Sequence, residues 1–145
     1  MSRLFIVLAL IVGCAPVLSA ESPAPPGRSA RLDSIDGFWG VKAYRLELSQ
    51  GVAIAITCYK GGPCERLAVT SDNPAVAEVK PASLGVLQPN GSALAGNRAT
   101  AAAFVVVGKQ PGQTQVHVRS KDGGREVTVT IVPPPQIGAS TTVAR

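Results

Sequence analysis

Large apolar side chains recur at every second position in several stretches of this chain, with polar or small residues between them. In AYRLELS, Tyr44, Leu46 and Leu48 alternate with Arg45 and Glu47, and in VAIAITCY, Val52, Ile54, Ile56 and Cys58 alternate with Ala53, Ala55 and Thr57. A period of two sends one set to one face of a strand and the other set to the opposite face. RLAVTS places Leu67 and Val69 inward, TQVHVRS pairs Val116 with Val118, and REVTVTIV sets Val127, Val129 and Ile131 against Thr128 and Thr130. AAFVVVG adds a valine-rich run. Breakers separate these runs: Gln50-Gly51, the Asp72-Asn73-Pro74 turn, and KDGG between the last two strands, a hairpin signal. Val76 and Val79 do not fit a period of two, which predicts a bulge or bend there. Residues 80–100 are interrupted repeatedly by Gly, Pro and Asn and read as a long loop with one short strand over 85–87. No segment carries a helical period. About seven short strands at this spacing predict an all-β fold, an Ig-like β-sandwich over residues 41–133.

The ends of the chain do not share this pattern. MSRLFIVLALIVGCAPVLSA has one Arg, an apolar run from Leu4 to Val12, and small residues after it. That run is well short of the roughly 20 residues a spanning helix needs and reads as an export signal over residues 1–20. Two cleavage points are legible. LSA before Glu21 suits cleavage after Ala20, whereas IVGC is similar to the lipobox of bacterial lipoproteins, with cleavage before Cys14 and a lipid on its sulfur. Residues 21–40 open with ESPAPPGRSA and read as a spacer, and residues 134–145, which begin within the proline run 133–135 that stops the last strand, read as a disordered tail. The protein is therefore expected outside the cytoplasm, as an outer-membrane or periplasmic lipoprotein or as a soluble secreted or periplasmic chain. Its only expected link to a membrane is the anchor at Cys14.

VTSDNPAVAEV resembles the Ser-Asn-Pro-x-Val-Ala-x-Val signature of the group 2 bacterial Ig-like domains, the family of the invasin and intimin Ig modules. GKQPGQTQVHVRSKDGGREVTVTIV is similar to that family's closing half, and the resemblance covers residues 44–132. The 80–100 loop is longer than usual for the family and the Cys58–Cys64 pair is unusual in it. The resemblance implies an adhesion, cell-surface or spacer module without catalytic residues. A second resemblance, carried by RLAVTSDNPAVAEV and VVVGKQPGQTQVHVRSKDG, is to the N-terminal domain of pilus-assembly secretins, and implies an accessory piece of a pilus or secretion apparatus.

Composition narrows the chemistry. Charged residues make up 16 % of the chain, net charge is +5, and the cations are scattered rather than clustered. Aromatic residues are 4 %, too few to interleave with the cations as base-stacking platforms, so nucleic acid is not an expected partner. An envelope protein or a polysaccharide is. With Cys14 lipidated or removed, Cys58 and Cys64 form an even pair in an oxidising compartment, joined by the turn-forming YKGGP, and a disulfide is expected. A metal site would need two further ligands, and a redox pair usually has two intervening residues rather than five, so neither is expected here, nor is any cofactor.

His117 lies between Val116 and Val118 and so faces solvent, and no Gly-x-Ser-x-Gly elbow accompanies it. Asp33 and Asp36 read as linker charges, and Asn90-Gly91-Ser92 as an Asn-Gly turn. GKQPGQT holds two glycines, a lysine and a threonine, but a strand follows it rather than a helix. It is therefore no phosphate cradle. Pro111-Gly112 suits the centre of a type II turn, leaving Lys109 as a solvated turn residue. Phe38 and Trp39, two large aromatics between glycines, read either as a cap over one end of the sandwich core or as a contact patch, and they are the candidate patch for a partner. The expected protein is a non-catalytic binding, adhesion or spacer module.

Overall fold

The computed structural model describes residues 15–21, 24–36, 42–84 and 101–134. These residues form nine strands and no helix: β1 (Val17–Ala20), β2 (Ala30–Asp36), β3 (Lys42–Ser49), β4 (Ala53–Tyr59), β5 (Ala68–Ser71), β6 (Ala77–Leu84), β7 (Ala101–Gly108), β8 (Gly112–Ser120) and β9 (Gly123–Val132). One sheet has the order β1-β4-β7-β6 and the other β2-β3-β9-β8-β5. All neighbours are antiparallel except β3 and β9, which run parallel. The two sheets pack face to face as a β-sandwich, as the alternation predicts.

The order is that of an immunoglobulin-type sandwich. Such domains place strands A, B, E and D in one sheet and C, F and G in the other. Here β1-β4-β7-β6 occupies the A-B-E-D positions, and β5-β8-β9 the C-F-G positions. The β2–β3 hairpin widens the second sheet beyond G.

The core is the set of residues that the period of two turns inward. Tyr44, Leu46 and Leu48 of β3 stand level with Val127, Val129 and Ile131 of β9, and all six are buried. Ile54 and Ile56 of β4 oppose Val106 and Phe104 of β7, and these too are almost fully buried. Among the described residues Phe104 is the largest fully buried side chain, so valine, leucine and isoleucine fill most of the space between the sheets there. Register is held because a slip of one residue would turn each of these faces to water.

Four features depart from the expectations. The sheets begin ahead of residue 41, because β1 and β2 lie in stretches whose composition suggests a signal end and a spacer. In β2 the backbone pairs with β3 over seven residues, yet only Ala30 and Leu32 pack against the core, so the apolar pattern is too sparse to mark a strand. Val76 belongs to the turn rather than to β6: its carbonyl accepts the N–H groups of Lys109 and Gln110 at 2.9 and 3.3 Å. β6 then runs with Ala77 and Val79 on one face, and no bulge is needed to reconcile Val76 with Val79. Pro81 is accommodated because β6 is an edge strand with no ladder partner on its outer side.

The third departure is at Gly112, which has a positive φ of 150° but pairs with Ile131 as the first residue of β8, so it opens the strand instead of sitting at a turn's centre. The fourth is Lys109, whose Nζ lies 2.7 Å from Glu78 Oε2, so it is paired rather than merely solvated. The short strand expected over 85–87 lies outside the described residues, while β6 carries regular structure to Leu84, into the stretch expected to be loop.

Candidate functional site

The disulfide joins Cys58, the penultimate residue of β4, to Cys64, with Cα atoms 5.4 Å apart. The hairpin-like loop between them is closed by backbone bonds from Lys60 N to Gly62 O at 2.8 Å and from Cys64 N to Cys58 O at 3.1 Å. Gly61 takes a φ of 64°, which the Gly61-Gly62-Pro63 cluster supplies without strain. Both sulfur-bearing side chains are buried and belong to the core. The loop docks on the β8–β9 turn: Lys121 N donates to Glu65 O at 2.9 Å, and Lys60 Nζ to Asp122 O at 3.3 Å. Lys121 Nζ also donates to Glu65 Oε2 at 2.9 Å, and that hydrogen bond raises the lysine's pKa above its ordinary value.

A shallow open cleft of about 400 Å³ lies over the outer face of β8 and β9, lined by His117, Arg119, Arg125 and Glu126 among others. His117 Nε2 sits 3.0 Å from Asp72 Oδ1, and its Nδ1 sits 3.6 Å from Glu126 Oε1. The side chain is 31 % exposed, on the outer face as expected, but it is held between two carboxylates rather than free in solvent. For nucleophilic catalysis one imidazole nitrogen would have to face a hydroxyl. Here each nitrogen faces a carboxylate instead. Ser71 Oγ is buried without a hydrogen-bond partner, but Ser71 stands opposite Val116 and Thr70 opposite His117. Alternation therefore turns Ser71 to the other face of the sheet from His117. Among the described residues no group of three or more His, Cys, Asp or Glu is placed to hold a metal ion.

At the opposite end of β8, Glu78 is flanked by Lys109 at 2.7 Å and Lys80 at 3.4 Å. The Lys109 hydrogen bond, reinforced by Lys80, holds the Glu78 carboxyl below its ordinary value. These groups lie at the surface and tie the turn after β7 to the start of β6.

The structure brings Cys58 and Cys64 together, while Cys14, Phe38 and Trp39 lie outside the described residues. Asp33 is paired with Arg31 at 2.8 Å on the exposed side of β2. What the sequence pattern does not disclose is a cluster around β1. Leu18 is buried in the core and Pro16 is fully buried. Leu18 N donates to Tyr44 Oη at 3.1 Å, and Arg125 Nε donates to Pro16 O at 2.8 Å. Arg125 and the Tyr44 hydroxyl carry no local signal of this role, because their partners are 109 and 26 residues away in the chain.

No family model matches the chain, and no curated protein matches it. Among solved structures it is similar to domains 4 and 5 of the S-layer protein SbsC, at 19 % identity over 81 % of this chain and 53 % of that one, with a TM-score of 0.41. The chain thus spans about half the length of that solved chain.

Proposed function

We propose that the protein is an exported, non-catalytic Ig-like module of a bacterial cell envelope, which binds or spaces other envelope components. The observation that carries this reading is the Cys58–Cys64 disulfide built into the core, since such bonds persist in oxidising compartments and are rare in the cytosol. The strand order supports the Ig-like part of the reading, and the resemblance of VTSDNPAVAEV to the group 2 bacterial Ig signature supports the bacterial surface part. Phe38 and Trp39 are the proposed contact patch for an envelope protein or polysaccharide, because large aromatics, tryptophan above all, are enriched among the residues that carry binding energy at interfaces.

The test is fractionation of bacteria that express the full chain, with thiol alkylation before and after reduction. Cys58 and Cys64 are expected in the envelope or periplasmic fraction and open to alkylation only after reduction. A cytoplasmic chain whose two thiols alkylate without reductant would overturn the reading. Replacing Phe38 and Trp39 together by Ala is expected to abolish retention on isolated cell envelopes while leaving the thermal transition unchanged; undiminished retention would remove the patch from the proposal.

A further inference from the structure

Two cleavage points are legible in the first twenty residues, and they differ in one physical consequence. Cutting after Ala20 removes Val17–Ala20, which is all of β1. Cutting before Cys14 keeps it. β1 is not an ornament on the sandwich. It fills the A position beside β4, with Leu18 opposite Cys58 and Ala20 opposite Ile56. Leu18 is 4 % exposed and lies among the core residues, and Pro16 before it is fully buried. The segment is tied down at both ends and in the middle: Arg125 Nε to Pro16 O at 2.8 Å, Leu18 N to Tyr44 Oη at 3.1 Å, and Glu21 N to Ala55 O at 3.0 Å. Thr57 Oγ1 adds a bond to Glu21 Oε1 at 2.6 Å.

Loss of these residues would bare one edge of β4, open the core at Cys58, and leave the Tyr44 hydroxyl without its partner. An unpaired flat edge is a liability that folded β proteins avoid. A signal peptide, by contrast, is discarded and has no reason to complete the fold of what it exports.

We propose that the export signal is cut between Gly13 and Cys14, that β1 is thereby retained as the first strand of the mature domain, and that Cys14 carries the membrane anchor. The proposal deepens the export reading and rests on it. The IVGC tetrad supplies the sequence context, and the packing of residues 15–20, which a cut after Ala20 would remove, independently argues against that cut. In the modification, the Cys14 sulfur attacks the glyceryl carbon of a phosphatidylglycerol-type lipid. A C–S bond forms, the C–O bond to phosphate breaks with its electron pair, and the thiol proton is released as glycerol phosphate departs. Water then hydrolyses the Gly13–Cys14 peptide bond. Neither step needs an oxidant or reductant.

The geometry also orients the domain. Ala15 and Pro16 lie against Gly123, the first residue of β9 after the β8–β9 turn, whose added Cβ would be 4.0 Å from Ala15 Cα and 3.7 Å from Pro16 Cδ. With Cys14 next in the chain, the anchor has almost no spacer. The β8–β9 turn and the disulfide loop docked on it then sit nearest the membrane, and the Lys109 end of β8 about 30 Å further out, at roughly 3.3 Å per residue.

The experiment is intact mass of the protein recovered from cells expressing the full chain, alongside the variants Cys14→Ser and Ala20→Leu. The expected mass is that of residues 14–145 with a diacylglyceryl group, with or without a further acyl chain, and detergent is needed for extraction. C14S is expected to lose the lipid mass and the need for detergent. A20L, at an exposed position of β1, is expected to change the mature mass only by the substitution. A mature protein that begins at Glu21, or a block of processing by A20L, would overturn the proposal and leave the export reading standing. An unprocessed chain that still begins at Met1 in the cytosol would overturn both.

Discussion

At the residue scale, the Tyr44 hydroxyl is the group whose role is least visible in the sequence. Its ring obeys the alternation of β3 and enters the core with Leu46 and Leu48, and it is 2 % exposed. Its oxygen does something alternation does not report: it accepts the Leu18 N–H from the other sheet at 3.1 Å. Tyr44→Phe keeps the ring and strips the acceptor, leaving a buried backbone donor unpaired. The expected cost is about 1–3 kcal/mol, read as a lower urea midpoint at unchanged slope. An unchanged midpoint would mean that water satisfies Leu18 N instead. Thr130→Ala, at an exposed position on the outer face of β9, is the control and is expected to change stability by no more than about 0.5 kcal/mol.

At the element scale, the disulfide and β1 do related work at adjoining places. Cys58 is both half of the bridge and the β4 residue that faces Leu18 across the β1–β4 ladder. The bridge closes a short loop, so the chain-entropy model assigns it only about 2 kcal/mol. Cys58→Ser with Cys64→Ser is expected to lower stability by about that amount in urea unfolding, with somewhat more lost because two buried sulfurs become hydroxyls. β1 contributes through packing instead. A chain that starts at Glu21 is expected to melt about 10 °C or more below one that starts at Ala15, since burial of Leu18 and Pro16 is worth a few kcal/mol and each kcal/mol moves the transition of a domain this size by several degrees. Scanning calorimetry of the two chains checks it. Coincident transitions would show that the sandwich does not depend on β1.

At the scale of the whole molecule, two ion-paired surface groups, Glu78 and Lys121, set a weak dependence on pH. The Glu78 carboxyl is held below its ordinary value by Lys109 and Lys80, so its contribution is present above the ordinary carboxylate range and fades as pH falls through the lowered value. The Lys121 ammonium is held above its ordinary value by Glu65, so its contribution is complete below that ordinary value and is lost as pH rises through the raised one. Both groups lie at the surface, so both effects are small. Stability is expected to be level with respect to these two groups between the limits, and Glu78→Gln is expected to soften only the acid limb. Urea midpoints at mildly acid and neutral pH check this, and an E78Q profile parallel to the parent would refute it. Most of the sandwich was legible in the sequence, because a buried face opposite a wet one leaves a period of two, and β3, β4, β8 and β9 keep that period almost without interruption. Turn chemistry at Gln50-Gly51 and at the β8–β9 hairpin is equally local, and so is the pairing of Cys58 with Cys64. The tertiary structure alone decided that β3 runs parallel to β9, that Lys109 pairs with Glu78, that His117 sits between two carboxylates, and that residues 15–20 belong to the fold. Each of these depends on partners distant in the chain, and a short edge strand with a single buried side chain has no periodicity by which to announce itself.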